Sequence, residues 1–370
     1  MNPDLRSTLS RRSFVGRLAL GATALTLAGR SYGQTPPGRK LGIALCGLGN
    51  YSRGQLGPGL KLTQDCHLAG VITGSREKGV QWAKDYGFPE KNIYHYDTMQ
   101  QMADNPDIDI VYVVTPNALH APHTIAAAKA GKHVICEKPM AMNAAECDTM
   151  LAACKAANVR LSIGYRLHFE PNTQELKRLA RDKDFGVFMK MSGGNGFRMQ
   201  RKVWRAEFKL AGGGPLMDMG VYSVQAACMA AGDATCVAVT AKEHPKTRPE
   251  IFADVEEGLD YTMEFSNGAK AELMTTYAMG IGKFRAEGDK GWIALEPAHS
   301  YRGIKAVTSK GPLDLRELPS QQAVQMDDFA RCVRAGRESI VDGVMGRRDM
   351  LIVDAIYEAA KTGKRTQVKS

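Results

Sequence analysis

The chain has 370 residues, of which 44% are hydrophobic and 24% charged. Its 49 lysines and arginines against 39 aspartates and glutamates give a net charge of +10, but the excess is scattered, with no run of five or six like charges and no basic stripe interleaved with aromatics, which argues against a nucleic-acid partner. The eight cysteines form no CxxC or zinc spacing and no His, Asp or Glu cluster has metal-ligand spacing, so no metal is expected and no disulfide is demanded.

The first element in chain order is an export signal. Ser10 to Val15 read SRRSFV, and Leu18 to Gly29 carry no charge. This pattern resembles a twin-arginine signal, the kind used by proteins that cross the membrane already folded. The uncharged run has 12 residues, whereas a bilayer core takes about 20, so no permanent membrane anchor is expected. Ser31 and Gly33 supply small residues for cleavage after Gly33. Residues 1–33 are therefore read as a signal that engages the twin-arginine machinery, with the periplasm as destination. Five arginines and Asp4 leave with it, so the mature chain carries about +6.

Residues 34–164 alternate apolar runs with helix-forming stretches. LGIALC (41–46), LAGVIT (68–73), DIVYVVT (109–115), HVICE (133–137) and VRLSIGY (159–165) read as strands buried on both faces. SREKGVQWAKDYG, PHTIAAAKAGK and AAECDTMLAACKAA separate them as helices. The expected fold is α/β, opening with a Rossmann-type, doubly wound parallel-sheet domain. After the first strand comes GLGNYSRG: Gly47 and Gly49 allow a tight turn and close approach of a pyrophosphate, and Ser52 stands where a third glycine is usual. The second strand ends in TGSREKG, where an NAD site usually places a carboxylate for the ribose hydroxyls. Thr73, Gly74 and Ser75 offer none, and Arg76 and Lys78 follow, so NADP is the expected cofactor.

Residues 165–370 change pattern. A helix near 171–182 leads to a strand GVFMKMS (186–192), a loop, a helix after Gly214, and then strands CVAVTAK, GLDYTMEF, AKAELMTTY, KFRAEG and GWIALE. Phe265 to Ala269 read FSNGA, a tight-hairpin signature. The second domain is therefore expected to be α+β with a large, mostly antiparallel open sheet, closed by helices near 320–335 and 346–361.

CEKPMA (136–141) follows the fourth strand in this reading, and AGGGPLMDMGVY (211–222) opens the large helix of the second half. With GLGNYS, TPNALH and IGYR, these segments resemble the glucose-fructose oxidoreductase, inositol dehydrogenase and rhizopine-catabolism (Gfo/Idh/MocA) superfamily over nearly the whole mature chain. Asp218 to Tyr222, DMGVY, carry tyrosine where many members carry histidine, as in its periplasmic glucose-fructose branch. The resemblance implies a catalytic set of Lys138, Asp218 and Tyr222. It implies a cofactor-binding set of Gly47, Gly49, Asn50, Tyr51, Thr73, Ser75, Arg76, Lys78, Pro116, Asn117, His120, Glu137, Lys138, Arg166, Trp204 and Arg205. The last two stand in VWRAEFKLAGGG (203–214), which is similar to that branch's WR…LAGGG stretch. His120 reads equally as a structural histidine, Tyr165 is a further candidate to line the site, and His168 and Tyr96 are weaker ones.

Two departures matter. Only Gln34 to Lys40 precede the first strand, too short for the subunit-wrapping arm of that branch, so a homodimer through the open sheet face is expected instead of an arm-built tetramer. Residues 192–202, SGGNGFRMQRK, match the family's substrate loop poorly, so sugar identity does not carry over.

The implied chemistry is oxidation of a sugar at its anomeric carbon, in which a nicotinamide takes the hydride and the protein takes the proton. A phenol titrates at about 10 and an ammonium at about 10.4, and a lysine cation beside a tyrosine favours phenolate. Tyr222 would exchange the proton, Lys138 would polarise, and Asp218 would hold the sugar hydroxyls or the lysine. Because no NADP pool is expected outside the inner membrane, the cofactor would stay tightly bound. A ping-pong cycle would then oxidise one aldose to its lactone and reduce a second sugar to its alditol. The alternatives are an NADP-dependent aldose dehydrogenase with exchangeable cofactor and a non-catalytic sugar-binding protein. An NAD-dependent glycosidase would need a histidine-glycine segment in place of DMGVY.

Overall fold

The computed structural model describes residues 38–369, so the signal read at 1–33 lies outside the described residues. Six short runs, β1 (Leu41–Cys46), β2 (Cys66–Ile72), β3 (Ile93–Tyr94), β4 (Ile110–Val113), β5 (His133–Cys136) and β6 (Leu161–Ile163), form one parallel sheet in the order β3-β2-β1-β4-β5-β6. Side chains alternate across it. Ala44, Cys46, Val111 and Val113 face the helices His120–Lys129 and Ala144–Ala156, while Leu41, Ile43, Leu45, Ile110 and Tyr112 face the other side. Burial on both faces is why these strands read as continuous apolar runs.

The second sheet comprises β7 (Lys190–Gly196), β8 (Cys236–Glu243), β9 (Gly258–Phe265), β10 (Lys270–Thr276), β11 (Ile281–Gly288), β12 (Gly291–Leu295), β13 (Ala306–Thr308), β14 (Gly311–Pro312) and β15 (Thr366–Gln367). Their order is β14-β13-β12-β11-β7-β10-β9-β8-β15. The FSNGA hairpin joins β9 to β10 as expected. In β9 and β10 buried and exposed positions alternate, so one face packs against helices and the other is left open. The architecture is the expected α/β Rossmann-type domain with a mostly antiparallel second sheet.

Two segments depart from the sequence reading. The glycine-rich KMSGGNG, expected to be the end of a strand and a loop, is the central strand β7, parallel to β10 and antiparallel to β11. A Cβ at Gly193, Gly194 or Gly196 would meet the carbonyl oxygens of Lys283, Met274 and Thr276 at 2.4, 2.7 and 2.3 Å, so close approach of neighbouring backbones requires glycine there. The helix Gln321–Arg334, which follows the second sheet in the chain, packs against the first: Met326, Phe329, Ala330 and Cys332 join Leu41, Ile43 and Leu45 in one core.

All eight cysteines are free, six of them buried. No helix among the described residues is long and apolar enough to cross a membrane.

Asp327 ties the returning helix to the turn before β2. Its carboxylate accepts from the backbone N–H of Gln64 at 2.9 Å and of Asp65 at 2.7 Å. Hydrogen bonds to a charged group contribute about 1.5–3 kcal/mol, so Asp327→Ala is expected to lower unfolding stability by roughly 2–3 kcal/mol in urea titration. A loss below about 0.5 kcal/mol, the ordinary range of a surface change, would show that the tie is dispensable.

Candidate active site

The carboxyl edge of the first sheet and the near end of the second enclose a cavity of about 1080 Å³. Strand β1 ends in the GLG turn, where Gly47 adopts φ +107° and Gly49 faces open space. Ser52, in place of a third glycine, is buried and donates its hydroxyl to the Gly47 carbonyl at 2.6 Å, so it closes the turn instead of widening it. Asn50 and Tyr51 follow and line the cavity. This exposed turn, opening a helical stretch after a buried parallel strand, fits a dinucleotide pyrophosphate.

The far end of the expected cofactor site is at the end of β2. Thr73 is buried and its hydroxyl accepts from Ser75 N–H; Ser75 caps the helix Arg76–Tyr86 by accepting from Lys78 N–H. Arg76 pairs with Glu90 at 3.3 Å, whereas the Lys78 side chain is exposed beside Arg53 in a small cleft. The two cations read from TGSREKG are thus unequal: Arg76 is shared with a carboxylate and Lys78 is the better placed to meet a phosphate.

At the other end, Lys138 leaves the edge of β5, where its peptide bond to Pro139 is cis. Its ammonium donates to the Asp218 carbonyl at 2.6 Å and lies 3.5 Å from the Asp218 carboxylate and 4.7 Å from the centre of the Tyr222 ring. The three residues expected to be catalytic are therefore together. Asp218 sits on a π-type turn, Leu216–Gly220, that runs into the helix Val221–Ala231 carrying Tyr222. Arg205 reaches the same carboxylate at 3.1 Å and Tyr277 donates to it at 3.0 Å. Burial pushes the Asp218 carboxyl up, but Lys138, Arg205 and Tyr277 outweigh it and hold the group below its ordinary range.

Other expected residues serve the walls. Asn117 donates to the Ala211 carbonyl at 2.8 Å, joining TPNALH to AGGG. Pro116 precedes the short turn that Asn117 opens. Glu137 is buried, accepts from Tyr112 at 2.7 Å, and is raised by burial despite Tyr112 and Lys138. Trp204 lines the cavity with Arg205 stacked on it at 4.4 Å. His120 touches the cavity, but its ring nitrogens face the carbonyls of Pro139 at 2.8 Å and Thr115 at 2.9 Å, and burial lowers it to about 4. The ring is then neutral at pH 7 and its single N–H donates to one of the two carbonyls, bracing this edge. Tyr165 is buried beside His168 and does not line the cavity, His168 meets Gln225, and Tyr96 stacks on His123.

Arg166 is almost fully buried and does more than the sequence reading assigns. Its guanidinium donates to the carbonyls of His299 at 2.6 Å and Ser300 at 2.9 Å and to Gln321, and it lies 4.3 Å from the Tyr301 ring and 5.0 Å from the Tyr222 ring. Residues 299–302 thereby become a wall of the site. The sequence reading missed this wall, Tyr277, and also Glu256. Glu256 accepts from the N–H groups of Gly214 and Leu216 and from Tyr357, anchoring the turn that presents Asp218. A Cβ at Gly213 or Gly214 would collide with Tyr357 or Glu256, which is a physical reason for the glycine run. Among the described residues, no group of three or more His, Cys, Asp and Glu side chains is arranged to hold a metal ion.

Comparison with known proteins identifies the family. Residues 41–165 match the model of an oxidoreductase family with an NAD-binding Rossmann fold, and residues 173–294 match the GFO/IDH/MocA C-terminal domain. The chain is similar to the aldose-aldose oxidoreductase of Caulobacter crescentus, whose structure was solved with glycerol, at 39% identity and a TM-score of 0.86, covering 89% of this chain and 100% of that one. It is 28% identical to D-xylose 1-dehydrogenase [NADP(+)] of Haloarcula marismortui, over 89% of this chain and 93% of that protein. It is 27% identical to D-glucoside 3-dehydrogenase of Escherichia coli, over 82% and 91%. The chain belongs to the GFO/IDH/MocA family of oxidoreductases and carries that family's NAD-binding Rossmann and C-terminal domains in order.

Proposed function

We propose that this protein is an exported sugar oxidoreductase that keeps NADP bound and couples oxidation of an aldose to reduction of a second sugar. The observation that carries the reading is the meeting of Lys138, Asp218 and Tyr222 in the cavity that the GLG turn opens into. The aldose-aldose and NADP-dependent xylose activities named for two of its relatives support the substrate class.

Gly47, Gly49, Asn50 and Tyr51 would hold the pyrophosphate end, Thr73, Ser75 and Lys78 the 2′-phosphate, and Trp204 and Arg205 the nicotinamide end. Bound NADP would supply a two-electron shuttle, taking a hydride from one sugar and giving it to the next. The protein manages the matching proton. Tyr222 accepts it from the anomeric hydroxyl as the aldose becomes a lactone, and returns it to the carbonyl oxygen of the second sugar as that becomes an alditol. Proton and hydride are each taken once and returned once, so the cycle needs no outside oxidant. Lys138 compensates charge developing on the sugar oxygen, and Asp218 keeps the ammonium in place. Export in the folded state through the SRRSFV signal would deliver the protein with cytosolic NADP already captured.

Tyr222→Phe is expected to lower kcat by about 10²–10⁴-fold, the usual contribution of general acid-base catalysis, with cofactor still bound. A loss below about tenfold in steady-state assays would place the proton transfer elsewhere. Lys78→Ala is expected to narrow the preference for NADP over NAD by about tenfold or more, as loss of a charge-assisted bond to phosphate would, and Arg76→Ala by less. Equal affinity of the unmutated protein for the two nucleotides refutes that assignment. Finally, periplasmic protein given two aldoses and no nucleotide should form aldonic acid and alditol in equal amounts, and the activity should vanish from the periplasm when Arg11 and Arg12 are both changed to Lys. Product that appears only with stoichiometric added NADP would favour the dehydrogenase with exchangeable cofactor, and undiminished periplasmic activity in the double variant would sink the export reading.

A further inference from the structure

The loop between β12 and β13 spans the cavity from its Tyr222 end to the GLG turn. His299 stacks on Tyr222, and two residues further on Tyr301 meets Tyr51, with ring centres 6.0 Å apart and planes tilted by 35°. Tyr51 closes the GLGNY segment, so a loop from the second half of the chain touches the turn that fits the pyrophosphate.

Both sides of that contact are held from behind by adjacent residues of one helix. Gln322 donates to the Tyr51 hydroxyl at 3.3 Å, while Gln321 accepts from Arg166 and donates to the Ser300 carbonyl at 3.3 Å. Arg166 also binds the carbonyls of His299 and Ser300, and past the contact the Gly303 N–H donates to Glu317 at 2.7 Å. The loop is thus pinned on either side of Tyr301 and Arg302, and among the described residues neither of these two side chains makes a hydrogen bond. Tyr301 is 42% exposed and Arg302 is exposed.

Both line the main cavity and also the cleft against Gly54, Gln55 and Pro58, just beyond the turn. Arg302 forms no ion pair among the described residues. The residues Gly47 to Tyr51 carry no cation, and Arg53 faces the separate cleft that holds Lys78. A pyrophosphate laid on this turn would therefore find its nearest unshared positive charge on the loop opposite, and a guanidinium is well suited to donate to phosphate oxygens.

We propose that Tyr301 and Arg302 form a clasp over the bound dinucleotide: Arg302 donates to its pyrophosphate, and Tyr301, packed on Tyr51, covers it, so that release waits for the two rings to part. This rests on the retained-NADP reading above and adds to it the residues that keep the cofactor in. Along this loop the first residues border the sugar end of the cavity and the next two border the nucleotide.

The test loads the full protein with NADPH, chases with excess NADP, and follows the fall in bound-nucleotide fluorescence. R302A is expected to speed release about tenfold or more, as loss of a charge-assisted bond to phosphate would, and R302K should recover part of that. Y301A is expected to speed it about three- to tenfold, the size of an aromatic contact, and Y301F should restore the slow rate. Release within about twofold of the unmutated rate in either alanine variant overturns the proposal. If the variants do not fold, hydrogen exchange of the unmutated protein decides: the amides of Tyr301 and Arg302 should exchange more slowly with NADP than after its removal, and equal exchange overturns the clasp. Unaltered release in variants that still pass hydride between two sugars would sink the clasp alone. Protein that binds no dinucleotide would sink the cofactor reading and the clasp with it.

Discussion

Burying a carboxylate is tolerable only when its oxygens find partners, and the arrangement of this molecule around its cavity follows from how Asp218 finds them. Lys138 reaches it from the edge of the first sheet, Arg205 from the turn that precedes the glycine run, and Tyr277 from the end of β10. Removing one partner of a buried pair typically costs about 3–5 kcal/mol, so these three elements hold one another at a single point. Tyr222 follows four residues later on the same helical stretch, and its position is therefore inherited from that of Asp218. The glycines at 213 and 214 belong to the same constraint, because only without side chains can the turn come close enough for Glu256 to anchor it.

What could be read from the sequence divides along the range of the interactions involved. The strands of the first sheet were legible because burial on both faces leaves an unbroken apolar run, and Lys138, Asp218 and Tyr222 were legible because each stands in a short linear motif. Tyr277, Glu256 and the carbonyls that Arg166 binds were not, because they come from segments far away in the chain with no local pattern to mark them. Gly193, Gly194 and Gly196 misled for a different reason. Glycine weakens an isolated strand, yet here two neighbouring backbones come too close for any other residue. The helix Gln321–Arg334 shows a related limit: its apolar face announces that it is covered, but not that the covering sheet lies at the opposite end of the chain.

Arg166 holds the loop beyond β12 by its backbone: two of its bonds end on main-chain oxygens, those of His299 and Ser300. Such a clamp is indifferent to side-chain identity. Residues on this stretch can be exchanged while the main chain keeps its course, and each exchange presents a different group to the same place in the cavity. Fixed support and variable lining are thus separated within a few residues. A lineage could pass from one carbohydrate to another here by single substitutions, without rebuilding the scaffold or disturbing the charges buried around Asp218.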